Sequence, residues 1–152
     1  MAAFDITRWD KAERLDELLA VVHSAFRDFE PPSGVLNETL EHLSARFRSE
    51  TFLVAQAGGG IIGSLFCARK YGALYLTRMA VLPVWRKRGV GRALMVSAEA
   101  EARRIGAARL TLRVRKNLPG NRAYFERFGF AVTGEGRDPG RPPYDFMERT
   151  LG

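Results

Sequence analysis

Residues 81–94 read Val-Leu-Pro-Val-Trp-Arg-Lys-Arg-Gly-Val-Gly-Arg-Ala-Leu. An apolar strand runs into four basic residues and two glycines and passes directly into a helix, which commits the chain to a strand–turn–helix unit. Gly89 and Gly91 lack a Cβ, tolerate positive φ and let a ligand approach the backbone. The helix that follows points its unpaired N–H groups and its positive dipole end at the same spot. Arg86, Lys87, Arg88 and Arg92 add charge with no acid among them. The unit is a seat for a polyanion.

The basic charge is local. The chain holds 24 basic and 17 acidic residues, net +7, but residues 1–50 hold six basic against ten acidic (−4) and residues 78–116 eleven against two (+9). Such concentration favours one anionic ligand over diffuse coating of nucleic acid. The basic segment also lacks the interleaved aromatics that stack on bases, so no nucleic-acid partner is expected. A length of 152 residues with 46% hydrophobic content is enough for one domain, 1–152, with a sizeable core. A single cysteine, Cys67, excludes an internal disulfide and a multi-cysteine metal site, and no metal is expected. It lies in an apolar run and reads as a core thiol rather than a nucleophile. The first 17 residues are polar and mixed in charge, without a signal pattern. The apolar runs fall far short of the ~20 residues that span a membrane. A soluble cytoplasmic protein with no membrane partner is the expectation.

Hydrophobic periodicity sets the element order. Phe4 and Ile6 alternate with polar residues as a short strand, and Asp10 is a candidate cap for a helix with Leu15, Leu18, Leu19, Val22 and Phe26 on one face. The stretch Glu30-Pro-Pro-Ser-Gly34 reads as a loop, and Asn37 as the cap of a second helix with Leu40, Leu43 and Phe47. Residues 51–57 and 61–69 form a hairpin about Gly58-Gly-Gly60, and a strong strand covers 73–82. A helix then runs to about Ile105 and stops at Gly106. Arg109 to Arg115 alternates Leu110, Leu112 and Val114 with polar residues, a strand with one apolar face. Pro119 opens a short helix that Gly129 ends, and strands near 130–133 and 144–150 close the chain. The order is β-α-α-β-β-β-α-β-α-β-β, a mixed α/β (α+β) layer fold with a hairpin-rich first half.

The glycine pattern is neither a dinucleotide fingerprint nor a P-loop: the third glycine of the first and the Gly-Lys-Ser/Thr of the second are missing. What remains is Arg86-x-x-Gly89-x-Gly91 between strand and helix, which taken alone also suits a solvated basic turn. The segment resembles the pyrophosphate-binding loop of the GNAT acyl-CoA N-acyltransferase superfamily, whose pattern is Gln/Arg-x-x-Gly-x-Gly/Ala. Upstream, Leu74-Tyr-Leu-Thr-Arg-Met-Ala-Val-Leu-Pro83 is similar to that family's central strand with its Val-x-Pro ending. Downstream, Leu110-Thr-Leu-Arg-Val114 is similar to its fifth strand. Asn117 with Asn121-Arg-Ala-Tyr-Phe-Glu-Arg-Phe-Gly-Phe130 resembles its Asn…Ala-x-x-x-Tyr-x-x-x-Gly-Phe block. The likeness is specific over residues 74–130 and weak over 1–50.

The resemblance implies a mixed, mostly antiparallel twisted sheet flanked by helices, with the central strand splayed from the fifth to open a slot. Backbone groups of Met79, Ala80 and Val81 would line the pantetheine arm of acetyl-CoA and polarise the thioester carbonyl. Amides of Arg86, Lys87, Arg88, Gly89, Val90, Gly91 and Arg92 would cradle the pyrophosphate, and Asn117 and Asn121 would hold the pantetheine side. Tyr124 would give a proton to the leaving thiolate as general acid. Its spacing to Phe128 also suits a packed aromatic.

Many similar proteins carry a glutamate on the central strand as base. Here that strand has Thr77 and Arg78 and no carboxylate. The acceptor ammonium, with pKa about 10, must still lose a proton before it attacks. Glu30, Glu38, His23, His42 and Asp145 are candidates, and ordered water is another route. Trp85 either shelters the donor or packs. Phe29, Glu30, Tyr144 and Arg78 are candidate acceptor contacts, the last suited to a carboxylate. The expected activity is transfer of an acetyl group from acetyl-CoA to a primary amine of a small molecule, amino acid or peptide, by direct attack in a ternary complex. The alternative is a non-catalytic acyl-CoA-binding sensor or interaction domain. Dimers are common among similar proteins, so a homodimer is an open expectation.

Overall fold

The computed structural model describes residues 3–29 and 32–152. Its elements are β1 (Asp5–Arg8), α1 (Leu15–Phe26), α2 (Leu40–Phe47), β2 (Thr51–Ala57), β3 (Gly60–Lys70), β4 (Ala73–Val81), α3 (Val90–Arg104), β5 (Arg109–Arg115), α4 (Pro119–Glu126), β6 (Ala131–Gly136) and β7 (Tyr144–Thr150). The seven strands form one sheet in the order β1-β2-β3-β4-β5-β7-β6. Among the described residues β4–β5 is the parallel pair and the other neighbours run antiparallel. The expected order and mixed sheet are thus observed.

Strand alternation divides the apolar residues between two faces. On β2, Leu53 and Ala55 join the core under α3, with Leu94, Met95 and Ala98, whereas Phe52 and Val54 join the core under α1 and α2, with Leu18, Val22 and Leu43. Phe52 and Phe66 stack there at 3.8 Å between ring centroids. On β5, Leu110, Leu112 and Val114 all go to the α3 face, so its arginines look the other way, toward the side of α1 and α2.

Two helix starts differ from expectation. Strand pairing continues past β1 to Trp9, whose amide donates to the Phe52 carbonyl at 2.8 Å. A 3₁₀ turn, Ala12–Arg14, then intervenes, so Asp10 caps nothing and Arg14, paired with Glu17 at 2.8 Å, occupies the N-cap position of α1. Likewise Asn37 ends a 3₁₀ turn, Gly34–Asn37, and Thr39 caps α2 by accepting from the His42 amide at 3.1 Å. The threonine wins because its Oγ1 reaches the third amide of the helix from an extended residue.

Two features of β4 position the site. Its ladder with β5 has three rungs, Ala73–Arg109, Leu74–Leu110 and Tyr75–Thr111, and beyond them the strands part. Toward β3, Phe66 pairs with Thr77 but Ser64 pairs with Ala80, so β4 carries one extra residue, a β-bulge. Arg78 lies in the bulge at φ +53. The fully buried Ser64 hydroxyl donates to the Arg78 carbonyl at 2.9 Å. Beside it, a Cβ on Gly63 would lie 2.8 Å from the Ala80 carbonyl oxygen and 3.2 Å from Val90 Cγ1. Glycine therefore lets β3, the bulged part of β4 and the start of α3 close on one another. Gly63→Ala is predicted to cost about 1–3 kcal/mol by overpacking, seen in urea unfolding as a lower midpoint with an unchanged slope.

Candidate active site

The parted strands leave backbone groups for a ligand. The Leu82 amide donates to the Ile62 carbonyl at 2.9 Å, so Leu82 faces β3. Alternation then turns Ala80 toward β3 as well and turns the amides of Met79 and Val81 into the opening. The closeness of the Ala80 carbonyl to Gly63 agrees with this. The Val81 carbonyl accepts from Arg86 Nε at 3.3 Å.

Next along the chain, the basic turn is folded as an anion seat. Lys87 at φ +61 and Gly89 at φ +85 flank Arg88, and left-handed residues in such a turn gather successive amides into one concavity. Gly89 is the N-cap of α3, and nothing lies within 4 Å of where its Cβ would be. Among the described residues no main-chain acceptor takes the amides of residues 87–92, while the Arg86 amide goes to the Pro83 carbonyl at 3.2 Å. Six consecutive N–H groups are thus left without a main-chain acceptor at the positive end of the α3 dipole, among the described residues.

The side chains around the turn divide the work. Arg86 folds back, its Nη2 reaching the Ala25 carbonyl at 3.5 Å, and braces the turn against α1. Arg88 lies 5.2 Å over the half-buried Trp85 ring, which packs edge-on against Phe4 at 6.3 Å. Trp85 is therefore packed under the turn. Lys87 and Arg92 are exposed at the rim.

Tyr124 reaches this site from α4. A Cβ on Gly91 would collide with the Tyr124 hydroxyl, so glycine in the first turn of α3 is what lets the phenol sit there. The ring is held edge-on by Phe125 at 5.2 Å and Phe128 at 5.1 Å. Packing and a polar role are thus combined in one residue: the ring packs and the hydroxyl meets the turn. Burial pushes the phenol above its ordinary pKa, with Arg127 pulling more weakly the other way. It is protonated at neutral pH and able to donate. Asn121 is exposed near the start of α4, its amide bonded to the Leu118 carbonyl at 2.9 Å, and Asn117 Oδ1 accepts from Arg115 Nε at 3.2 Å.

The candidate bases fall in different places. Glu30 lies outside the described residues. His42 is exposed on α2, and His23 Nε2 is 3.0 Å from the Glu38 carbonyl. Asp145 is buried on the α4 side, beside Lys116 at 3.0 Å and Arg122 at 3.8 Å. Of the candidates among the described residues, Glu38 comes to β4, on the face of α1 and α2, and there it meets Arg46 at 3.0 Å and Arg78 at 3.3 Å. Arg46 is further held by Glu50 at 2.7 Å and donates to Thr77 Oγ1 at 2.6 Å. Cys67 is buried, and burial pushes its thiol up to about 12, which leaves no thiolate for nucleophilic work.

Two of the acceptor candidates lie across the opening. Tyr144 has Arg113 4.5 Å over its ring, and Phe29 packs on Phe26 at 5.1 Å under Arg115 at 5.5 Å. Arg113 and Tyr75 were not singled out from the sequence. The alternation of β5 was the available signal for Arg113, which it sends to the face opposite the apolar one.

Comparison with known proteins follows the same outline. Residues 15–130 match the family model described as the acetyltransferase (GNAT) family. No curated protein matches the chain by sequence. Among solved structures, the PaiA N-acetyltransferase from Thermoplasma acidophilum, in complex with coenzyme A, superposes with a TM-score of 0.85 at 18% identity, covering 99% of this chain and 100% of that one. The ribosomal-protein-S18-alanine N-acetyltransferase from Escherichia coli gives 0.81 at 20% identity, covering 97% and 93%. The ribosomal-protein-alanine N-acetyltransferase from Brucella melitensis gives 0.75 at 23%, covering 97% and 99%. At these identities the likeness is one of fold. A direct check on the Tyr124 seat is the ultraviolet titration of its phenol, taken as the difference between the protein and Tyr124→Phe. Ionisation above pH 10 is expected, and ionisation below pH 10 contradicts the buried seat.

Proposed function

The chain belongs to the GNAT acetyltransferase family, and on that premise we propose that it transfers an acetyl group from acetyl-CoA to a primary amine by direct attack in a ternary complex. The observation that carries the reading is the set of open amides at residues 87–92, continuous with the parting of β4 from β5. A pyrophosphate fits the first and an extended amide-bearing arm fits the second. The coenzyme A bound to the Thermoplasma protein, on the same fold, supports the donor class.

When bound, the donor supplies an acyl thioester. The amides of Lys87 to Arg92 hold its phosphates, and Lys87, Arg88 and Arg92 add charge from the rim. Arg86 acts by bracing the turn rather than through its own amide. The Met79 and Val81 amides face the opening and are placed to stabilise negative charge that develops on the thioester oxygen. Ala80 contributes by pairing with β3, which keeps its neighbours turned outward. Asn117 and Asn121 border the pantetheine side. The acceptor nitrogen forms the new C–N bond and the C–S bond breaks, while the Tyr124 hydroxyl gives its proton to the departing sulfur. The acceptor ammonium loses one proton before attack, and the second proton, released from nitrogen as the amide forms, restores the Tyr124 phenol. Glu38 is engaged by two arginines, so solvent is the simplest carrier for the first.

Acetyl-CoA at one hundred times its Kd is predicted to stabilise the fold by about 2.7 kcal/mol, read as a rise in Tm. Tyr124→Phe is predicted to keep that shift but to lower kcat by ~10²-fold. An unchanged kcat removes the phenol from the chemistry. Thiol release that is absent with every amine, alongside a retained Tm shift, would instead identify a non-catalytic acyl-CoA sensor.

A further inference from the structure

On the face covered by α1 and α2, both walls of the β4–β5 opening carry arginine. Arg78 stands on the β4 wall, held by the bulge at φ +53. Its Nη2 meets Glu38 at 3.3 Å, and its buried Nε has no hydrogen-bond partner among the described residues. Glu38 is also bonded to Arg46 at 3.0 Å, and Arg46 is paired in turn with Glu50 at 2.7 Å, so two guanidinium groups meet two carboxylates there. Burial first, and the charge of Arg46 second, disfavour the Arg78 cation, with Glu38 opposing them.

Arg113 stands on the β5 wall, two residues beyond the last rung with β4. Its guanidinium lies over Tyr144 at 4.5 Å and near Phe146 at 5.6 Å. Aromatic rings on one side fix the plane of the fork. Its ion pair is a single contact, Nη1 to Asp138 at 3.2 Å, and the Asp138 side chain is 57% exposed. A pair of that kind contributes little and exchanges readily for a better-placed carboxylate. Tyr75, on the last rung with β5, stands at the closed end of the opening. The β6–β7 loop adds Arg137 and Arg141 against Asp138 alone, and it reaches the α1–α2 connection where Arg141 abuts Gly34.

Resting on the acetyltransferase reading, we propose that the acceptor carries a carboxylate beside its amine and that Arg113, on its Tyr144 ring, binds that carboxylate. An arginine fork grips a carboxylate through two parallel N–H bonds, whereas an amide or a second ammonium gains nothing there. The weakly paired Arg113 cation also repels the second ammonium of a diamine. The carboxylate has two sources, the α-carboxylate of an amino acid or an acidic side chain next to a peptide N-terminus.

The experiment measures acetyl-CoA-dependent thiol release on matched acceptors: alanine against alaninamide, the amidated peptide Ala-Glu-Glu against Ala-Gln-Gln, and 1,5-diaminopentane. One carboxylate member is expected to exceed its amide by at least about tenfold in kcat/KM, and which pair responds identifies the source. Arg113→Gln is expected to collapse that ratio toward unity through KM, and Arg113→Lys to restore part of it. Equal use of both members in each pair, a preference for the diamine, or an equal loss on both members in Arg113→Gln overturns the proposal. If acetyl-CoA binds and no acceptor turns over, the Tm of the coenzyme A complex is read instead. A rise with the carboxylate member alone supports the assignment, and equal or absent responses overturn it. Failure of acetyl-CoA to stabilise the protein at all is a different result and sinks the acetyltransferase reading itself.

Discussion

Everything at the site depends on β4 leaving β5 after three rungs. In an unbroken parallel pair the amides of Met79 and Val81 would be consumed by the neighbouring strand. The bulge at Arg78 is the local cause: one extra residue in β4 bends the strand and changes which way the following amides face. A left-handed arginine costs about 1–3 kcal/mol and persists only where its surroundings over-determine it. Here the buried Ser64 hydroxyl holds the Arg78 carbonyl, and Glu38 holds the guanidinium. The strain and the opening are two aspects of one construction.

Glycines at two contacts join that opening to the rest of the machinery. Gly63 lets β3 and the start of α3 close against β4 near Ala80, which places the amides of the turn at the end of the slot. Gly91 lets the Tyr124 hydroxyl rest on the first turn of α3, which brings α4 to the same place. The proposed donor seat and polarising amides therefore share one short stretch of chain, residues 79–92, with the proposed proton donor, Tyr124, reaching it from α4.

Much of this was legible in the sequence because it is local. The alternation of Arg109 to Arg115 and the order of basic residues, glycines and apolar helix positions report backbone direction without any tertiary contact. The caps at Asp10 and Asn37 were misplaced because strand pairing through Trp9 and the 3₁₀ turn at Gly34–Asn37 are decided by contacts distant in sequence. For the same reason the acceptor side was least legible. Glu38, Arg78 and Arg113 come from three elements, and their shared charge exists only after the sheet has formed. That Ala80 faces β3 while its neighbours face the slot likewise depends on the bulge, which no spacing rule announces.

We place acetyl-CoA along the slot and on the turn of residues 87–92. Amide ¹H–¹⁵N correlation spectra recorded during titration with acetyl-CoA test it most directly. The account predicts that the resonances of Met79, Val81 and residues 87–92 shift most and together, with β6 and β1 nearly still. Shifts confined to β6 and β1, or no shift in Met79, Val81 and residues 87–92, would rule it out.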